Sequence, residues 1–385
     1  MRGETPSFYT VIFCLIHNIE KKKKKKITDT MSVFPHRLLL LVLLLLHVIV
    51  YVHGWTSNHS KVPALLVFGD SLVDPGNNNV LPTIAKSNFP PYGREFPGRR
   101  PTGRFSNGKL PSDFLASVIG LKELLPAYLD PQLKPQDLLT GVSFASAGTG
   151  YDQRTADTWS VLSVGDQLKL FKEYIGRLKA VAGEERAKSI LSKSLYAVAA
   201  GSNDMLFTYF QNPINLKRYD VNTYAGFLID TVSGIVQELY QLGARKIAVA
   251  GLPPLGCLPS QRTLAGGILR KCVDIYNDAA ILYNSKLTAE LRSLGSQLTG
   301  TTIGYIDLYG SVYDLIANPV AYGFEEVSKG CCGTGKLEFS ILCNRFSPET
   351  CEDDSKYVFW DSYHPTEKAS AILVKKLFQK LKFLL

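Results

Sequence analysis

Apolar residues in this chain gather in short runs that alternate with longer stretches where they recur every three or four positions. The short runs Ala64 to Phe68, Val142 to Ala145, Leu195 to Ala199, Lys246 to Ala250 and Thr302 to Ile306 are expected strands. The longer stretches, Lys109 to Ile119, Gly165 to Val181, Asn222 to Leu242, Val273 to Leu294 and Thr366 to Leu384, are expected helices. In Asn222 to Leu242, Phe227, Val232, Ile235, Val236 and Leu239 mark the face expected to be buried. Strands separated by helices of ten or more residues predict a mostly parallel sheet covered on both faces, a three-layer α/β/α sandwich. ALLVF and KIAVA are apolar almost throughout, as strands buried on both faces should be. No repeat or long polar linker divides residues 56–385, which read as a single domain. Ligands of such sheets bind beyond the carboxyl ends of the strands, so chemistry is sought just after each run.

One segment breaks the alternation. From Met31, a single cation at Arg37 precedes fifteen largely apolar residues, Leu38 to Val52, and then Gly54. Residues 31–55 thus have the layout of a secretory signal, with cleavage expected near residues 53–57. The run is shorter than the roughly 20 residues that cross a bilayer core, so no stable span is expected after cleavage; a signal anchor is the alternative. Residues 1–30 carry six lysines, Lys21 to Lys26, and read as an upstream extension with Met31 as the working start. The other reading makes those lysines positive-inside charge.

Composition and charge narrow the class. A chain of 385 residues with 45% apolar and 20% charged residues is neither disordered nor collagen-like. The net charge of +9 invites a polyanionic partner. However, residues 1–55 hold eight basic groups (Arg2, Lys21 to Lys26, Arg37) against three acids (Glu4, Glu20, Asp29). The balance left for the long remainder is modest, and no nucleic-acid partner is expected.

Cysteine usage agrees with export. Cys14 lies in the extension, leaving Cys257, Cys272, Cys331, Cys332, Cys343 and Cys351, an even number that implies up to three disulfides. Neighbouring Cys331 and Cys332 would form a strained ring if bonded together, so each is expected to reach Cys343 or Cys351. Cys257 is then left with Cys272, a loop closure worth about 3 kcal/mol. Zinc is the rival reading, but no C-x2-C spacing exists. One sequon, at Asn58, lies just beyond the expected cut and is a glycosylation candidate.

The residues after the strands carry the candidate chemistry. Gly69-Asp70-Ser71-Leu72 follows the first run and sets a serine on a glycine-opened turn, a place for a nucleophile and equally for a helix cap. The G-x-S-x-G elbow is absent, because position 73 is Val73. Ser146-Ala147-Gly148-Thr149-Gly150 follows the second run, where small residues let backbone N–H groups face a ligand or simply turn the chain. After the third comes Gly201-Ser202-Asn203-Asp204, whose asparagine amide suits an oxyanion or an Asx turn. Near the end stands Asp361-Ser362-Tyr363-His364-Pro365. A carboxylate three residues before a histidine can hold Nδ1 and leave Nε2 free to take a proton from a hydroxyl.

Taken together, these blocks and their order resemble the plant secreted GDSL esterase/lipase family of the SGNH hydrolases, over roughly residues 62–385. The matching stretches are FGDSLVDPGNNN, PTGRFSNGK, FASAGTGY, GSND, LPPLGCLP and DSYHPT. Ser143, where the family commonly has asparagine, and Arg99, in place of a glycine, depart from the pattern near the expected site entrance. The resemblance implies a flavodoxin-like fold and a secreted serine esterase or lipase of the cell wall or apoplast. Its substrates would be lipid, small-molecule or wall esters, with no metal or organic cofactor. It implies Ser71 as nucleophile, His364 as base and Asp361 as its orienting partner. The oxyanion would be held by the N–H groups of Ser71 and Gly148 and by the Asn203 amide. Asp70 and Asp204 read as acids that hold loops. Because the imidazole must be neutral to accept a proton, activity should rise from about pH 6 to 8. An acyltransferase using the same site, and a non-catalytic binding protein, are the alternatives. Pocket walls are expected from residues 74–108, 149–163 and 323–360.

Overall fold

Four of the five expected strands form in the computed structural model, which describes residues 62–333, 343–346 and 349–385. The extension, the signal segment and the Asn58 sequon lie outside the described residues. β1 (Leu65–Gly69), β2 (Leu195–Ala199), β3 (Lys246–Ala250) and β4 (Thr302–Ile306) lie side by side in that order, all parallel. The remaining run, Val142 to Ala145, is an extended segment on the free edge of β1 rather than a full strand. Val67 N–H donates to Val142 O (3.1 Å), Phe144 N–H to Val67 O (2.7 Å) and Ser146 N–H to Gly69 O (2.9 Å). On its other side it meets the short chain around Pro126 and Tyr128, through backbone bonds at Ser143. Counted with this segment, the chain-order strands lie 2-1-3-4-5 across the sheet. This is the flavodoxin-like doubly wound order, whose crevice opens at the carboxyl end of the first strand.

The alternation of side chains along each strand builds two cores. Leu66 and Phe68 of β1, Tyr196 and Val198 of β2, and Ile247 and Val249 of β3 enter the larger one. Three long amphipathic helices cover it: α2 (Val164–Ala182), α3 (Val221–Gln241) and α4 (Asp274–Gln297). The opposite face is lined by smaller residues, among them Ala197, Ala199, Ala248 and Ala250. It is covered by α1 (Pro111–Val118) and the end of α5 (Glu367–Lys380), where Phe378, Leu381 and Leu384 seal it. Short helices that periodicity did not single out, including Glu184–Lys193 and Leu308–Ala317, fill the connections. The expected face of α3 needs one correction. Val232, Ile235, Val236 and Leu239 are buried, whereas Phe227 is 45% exposed, because Leu228 takes the inward position one residue on.

A second small sheet, missed in the sequence, pairs β5 (Glu326–Gly330) with β6 (Tyr357–Phe359). Disulfides join Cys331 to Cys351, Cys332 to Cys343 and Cys257 to Cys272, which settles the choice the sequence left open. Among the described residues no helix is long and apolar enough to cross a membrane.

Candidate active site

The turn that carries Ser71 is held by its backbone. Gly69 closes β1 with φ near +140°, and a Cβ there would run into the carbonyl oxygen of Ala199 on β2. Asp70 N–H then donates to that same oxygen at 2.9 Å. On the other side the buried Gln167 of α2 accepts from Gly69 N–H (2.9 Å) and donates to Gly69 O (3.0 Å). One amide side chain thus fixes the peptide two residues before the serine. No local signal marks it, since Gln167 reads only as a polar residue in an amphipathic helix.

The histidine comes from the other end of the chain. β6 delivers Trp360, whose N–H donates to His364 O at 2.7 Å, and the residues between form a tight loop. Asp361 Oδ1 accepts from the backbone N–H groups of Tyr363 (2.9 Å) and His364 (2.8 Å). His364 Nδ1 lies 2.8 Å from both carboxylate oxygens of Asp361, and its Nε2 lies 2.7 Å from Ser71 Oγ. The loop therefore orients both the carboxylate and the ring. Burial works to raise the Asp361 pKa, but the His364 ring and the two N–H groups outweigh it, and the carboxyl is held below its usual range. Tyr92 also donates to Asp361 Oδ2, at 2.8 Å.

Gly148 and Asn203 line the same cavity as the serine. Gly148 follows the edge segment with φ near +88°, and a Cβ on it would press on Trp159. A π-helical segment, Asp204–Phe210, starts directly after Asn203. The Asn203 amide donates to Thr149 O at 2.9 Å, which ties the two candidate donors to one another. Among the described residues, neither Ser71 N–H nor Gly148 N–H bonds to another protein group. Both residues line the cavity next to the serine hydroxyl.

Buried acids and amides hold these loops. Asp74 accepts from Gly76, Asn77 and Ala147 N–H groups; Asn77 donates to Ser143 O and Ala145 O; Asn78 donates to Ala147 O. The DPGNNN stretch is thus the buried frame of the loop bearing Gly148. Ser143 fits that frame by donating its hydroxyl to Val73 O (2.9 Å). Arg99 has a left-handed φ of 52°, the conformation that suits a glycine. Neither Ser143 nor Arg99 lines the cavity itself. Asp204 accepts from Tyr151 and Asp152 N–H groups and from the Thr155 hydroxyl, and burial pushes its pKa up to about 7. Asp70 accepts from Leu72 N–H, and burial lifts it to about 6 against the pull of that N–H and of His364.

Ser71 opens into a cavity of about 380 Å³. Its walls are mainly apolar: Ile84, Phe89 and Phe105 from the first expected stretch, Trp159 from the second, and Cys343 beside Asn344 from the third. Phe207, from the π-helical segment, and Leu258 and Leu308, beyond β3 and β4, were not expected there. A hydroxyl bonded to an imidazole, three nearby hydrogen donors and an apolar cavity suit acyl transfer from an ester.

Known proteins resemble this chain over most of its length. Residues 65–377 match the model of the GDSL-like Lipase/Acylhydrolase family. The GDSL esterase/lipase At3g14820 of Arabidopsis thaliana is 51% identical over 83% of this chain and 90% of its own length. From the same plant, the GDSL esterase/lipase At1g59030 is 49% identical over 88% of this chain and 97% of its own length. The GDSL esterase/lipase EXL3 is 50% identical over 83% and 87%.

Proposed function

The chain belongs to the GDSL-like lipase/acylhydrolase family, whose members are carboxylic ester hydrolases, and we propose that it cleaves its esters through an acyl-enzyme on Ser71. The observation that carries this reading is the continuous path from Ser71 Oγ through His364 to Asp361, with contacts of 2.7 and 2.8 Å. Ser71 attacks the ester carbonyl while His364 Nε2 takes its proton. The tetrahedral oxyanion is met by Ser71 N–H, Gly148 N–H and the Asn203 amide. His364 then gives its proton to the departing alcohol, and water, activated by the same ring, frees the acid and restores the serine. Asp361 keeps the tautomer that leaves Nε2 as acceptor.

The apolar walls fit the acyl part of the substrate, so lipid-like and small-molecule or wall esters with an apolar acyl group are the proposed class. The three disulfides and the signal-like segment 31–55 support export to the cell exterior, which in a plant is the wall or apoplast.

A panel of esters of increasing acyl length, hydrolysed by the parent protein and by Ser71→Ala, tests the reading. The variant should lose at least about 10³-fold in kcat on every ester. Equal rates for the two proteins on the best ester would overturn it.

A further inference from the structure

Resting on the reading of Ser71, His364 and Asp361 above, we propose that Tyr92 is a positioning residue for the reaction, its hydroxyl fixing the carboxylate of Asp361 from the side the loop leaves open. Three of the bonds to that carboxylate come from its own loop: Tyr363 N–H and His364 N–H on Oδ1, and His364 Nδ1. A carboxylate held only there can still rotate about its last bond and trade oxygens against the ring. Tyr92 supplies the long-range bond, Oη to Oδ2 at 2.8 Å, from 269 residues earlier in the chain.

The tyrosine is itself immobilised. Its side chain is buried, with Phe89, Phe105 and Trp360 edge-on around it at ring-centroid separations of 5.5, 5.7 and 6.3 Å. Cys331, Cys332 and Cys343 share this cluster, so two disulfides brace the same wall. Phe105 also packs on the His364 ring at 5.0 Å, so a single aromatic cluster backs both the phenol and the imidazole. Burial, and then the charge of Asp361, keep the phenol protonated far above neutral pH. It therefore acts only as a donor, and a donor in a closed apolar wall costs little reorganisation when positive charge develops on the imidazole.

Tyr92→Phe removes the hydroxyl and keeps the ring. The expected result is a fall in kcat of about tenfold, the order of one hydrogen bond to a charged acceptor, with KM within about twofold because Tyr92 acts through Asp361. The deciding measurement is the double-mutant cycle with Asp361→Asn. If the phenol acts through Asp361, adding Tyr92→Phe to Asp361→Asn should change kcat by less than about twofold. A tenfold loss in both backgrounds would overturn the proposal, as would an unchanged kcat in Tyr92→Phe. Loss of the folded state in thermal unfolding of Tyr92→Phe would also overturn it, since the hydroxyl would then serve folding. An Asp361→Asn variant as active as the parent would instead mark failure of the underlying reading.

Discussion

Asn203→Ala separates transition-state stabilisation from folding. In the structure one amide hydrogen of Asn203 holds Thr149 O at 2.9 Å, and the other has no protein acceptor among the described residues. Truncation to alanine therefore removes two things of different size. Losing the bond to Thr149 costs about 1 kcal/mol of folding stability, the usual net value of such a bond. Losing a donor to the oxyanion costs about 3–4 kcal/mol in the transition state, or roughly 10²- to 10³-fold in kcat. Initial rates on chromogenic esters with short and long acyl chains give kcat and KM, and urea unfolding gives the stability. The loss in kcat should be the same factor on every ester, because the amide meets the carbonyl oxygen and not the chain. KM should stay within about threefold. A kcat within threefold of the parent, or a loss confined to one chain length, would refute the assignment and make Asn203 a loop tie or a pocket residue.

Gln167→Leu should destabilise the fold by about 2 kcal/mol in urea unfolding, because Gly69 N–H loses its acceptor in a buried place. It should also lower kcat, since the peptide it clamps lies two residues before Ser71; a destabilised variant with full kcat would refute the second part. Asp204, raised to about 7 by burial, keeps its proton in the folded chain where the unfolded chain has lost it. Its contribution to stability is therefore fully present below about pH 4 and is lost as pH rises through about 7, by an amount of up to about 4 kcal/mol. Asp204→Asn should flatten the decline in melting temperature between pH 5 and 7.5, and an unchanged slope would contradict that origin.

The sheet was legible because buried parallel strands are apolar at nearly every position; β2, β3 and β4 begin and end where the runs do. The positions of Ser71, Gly148 and Asn203 were legible for a related reason, although the roles assigned to them came only from the family resemblance. Each follows a strand or edge segment at its carboxyl end, so a linear pattern already places them on one rim of the sheet. Two kinds of feature were hidden. The first depends on which of two neighbouring apolar residues turns inward: Phe227 has the right spacing but lies at the border of the buried stripe, beside Leu228. The second depends on one polar side chain meeting a partner far away in sequence. Gln167 against Gly69 and Tyr92 against Asp361 are 98 and 269 residues apart, and nothing local marks a glutamine or a tyrosine for such a bond. The pairing of Cys331 with Cys351 and Cys332 with Cys343 was likewise open, since neighbouring cysteines offer two solutions that only the loop path decides.

If Ser71 forms a covalent acyl-enzyme with its hydroxyl activated by His364, it should also be open to irreversible phosphonylation. The folded protein is treated with an organophosphonate, and intact mass and then the modified peptide are read. One adduct per chain is expected, on Ser71, with labelling abolished in Ser71→Ala and strongly slowed in His364→Ala. Folded parent protein that stays unlabelled, or an adduct on any other residue, would contradict it.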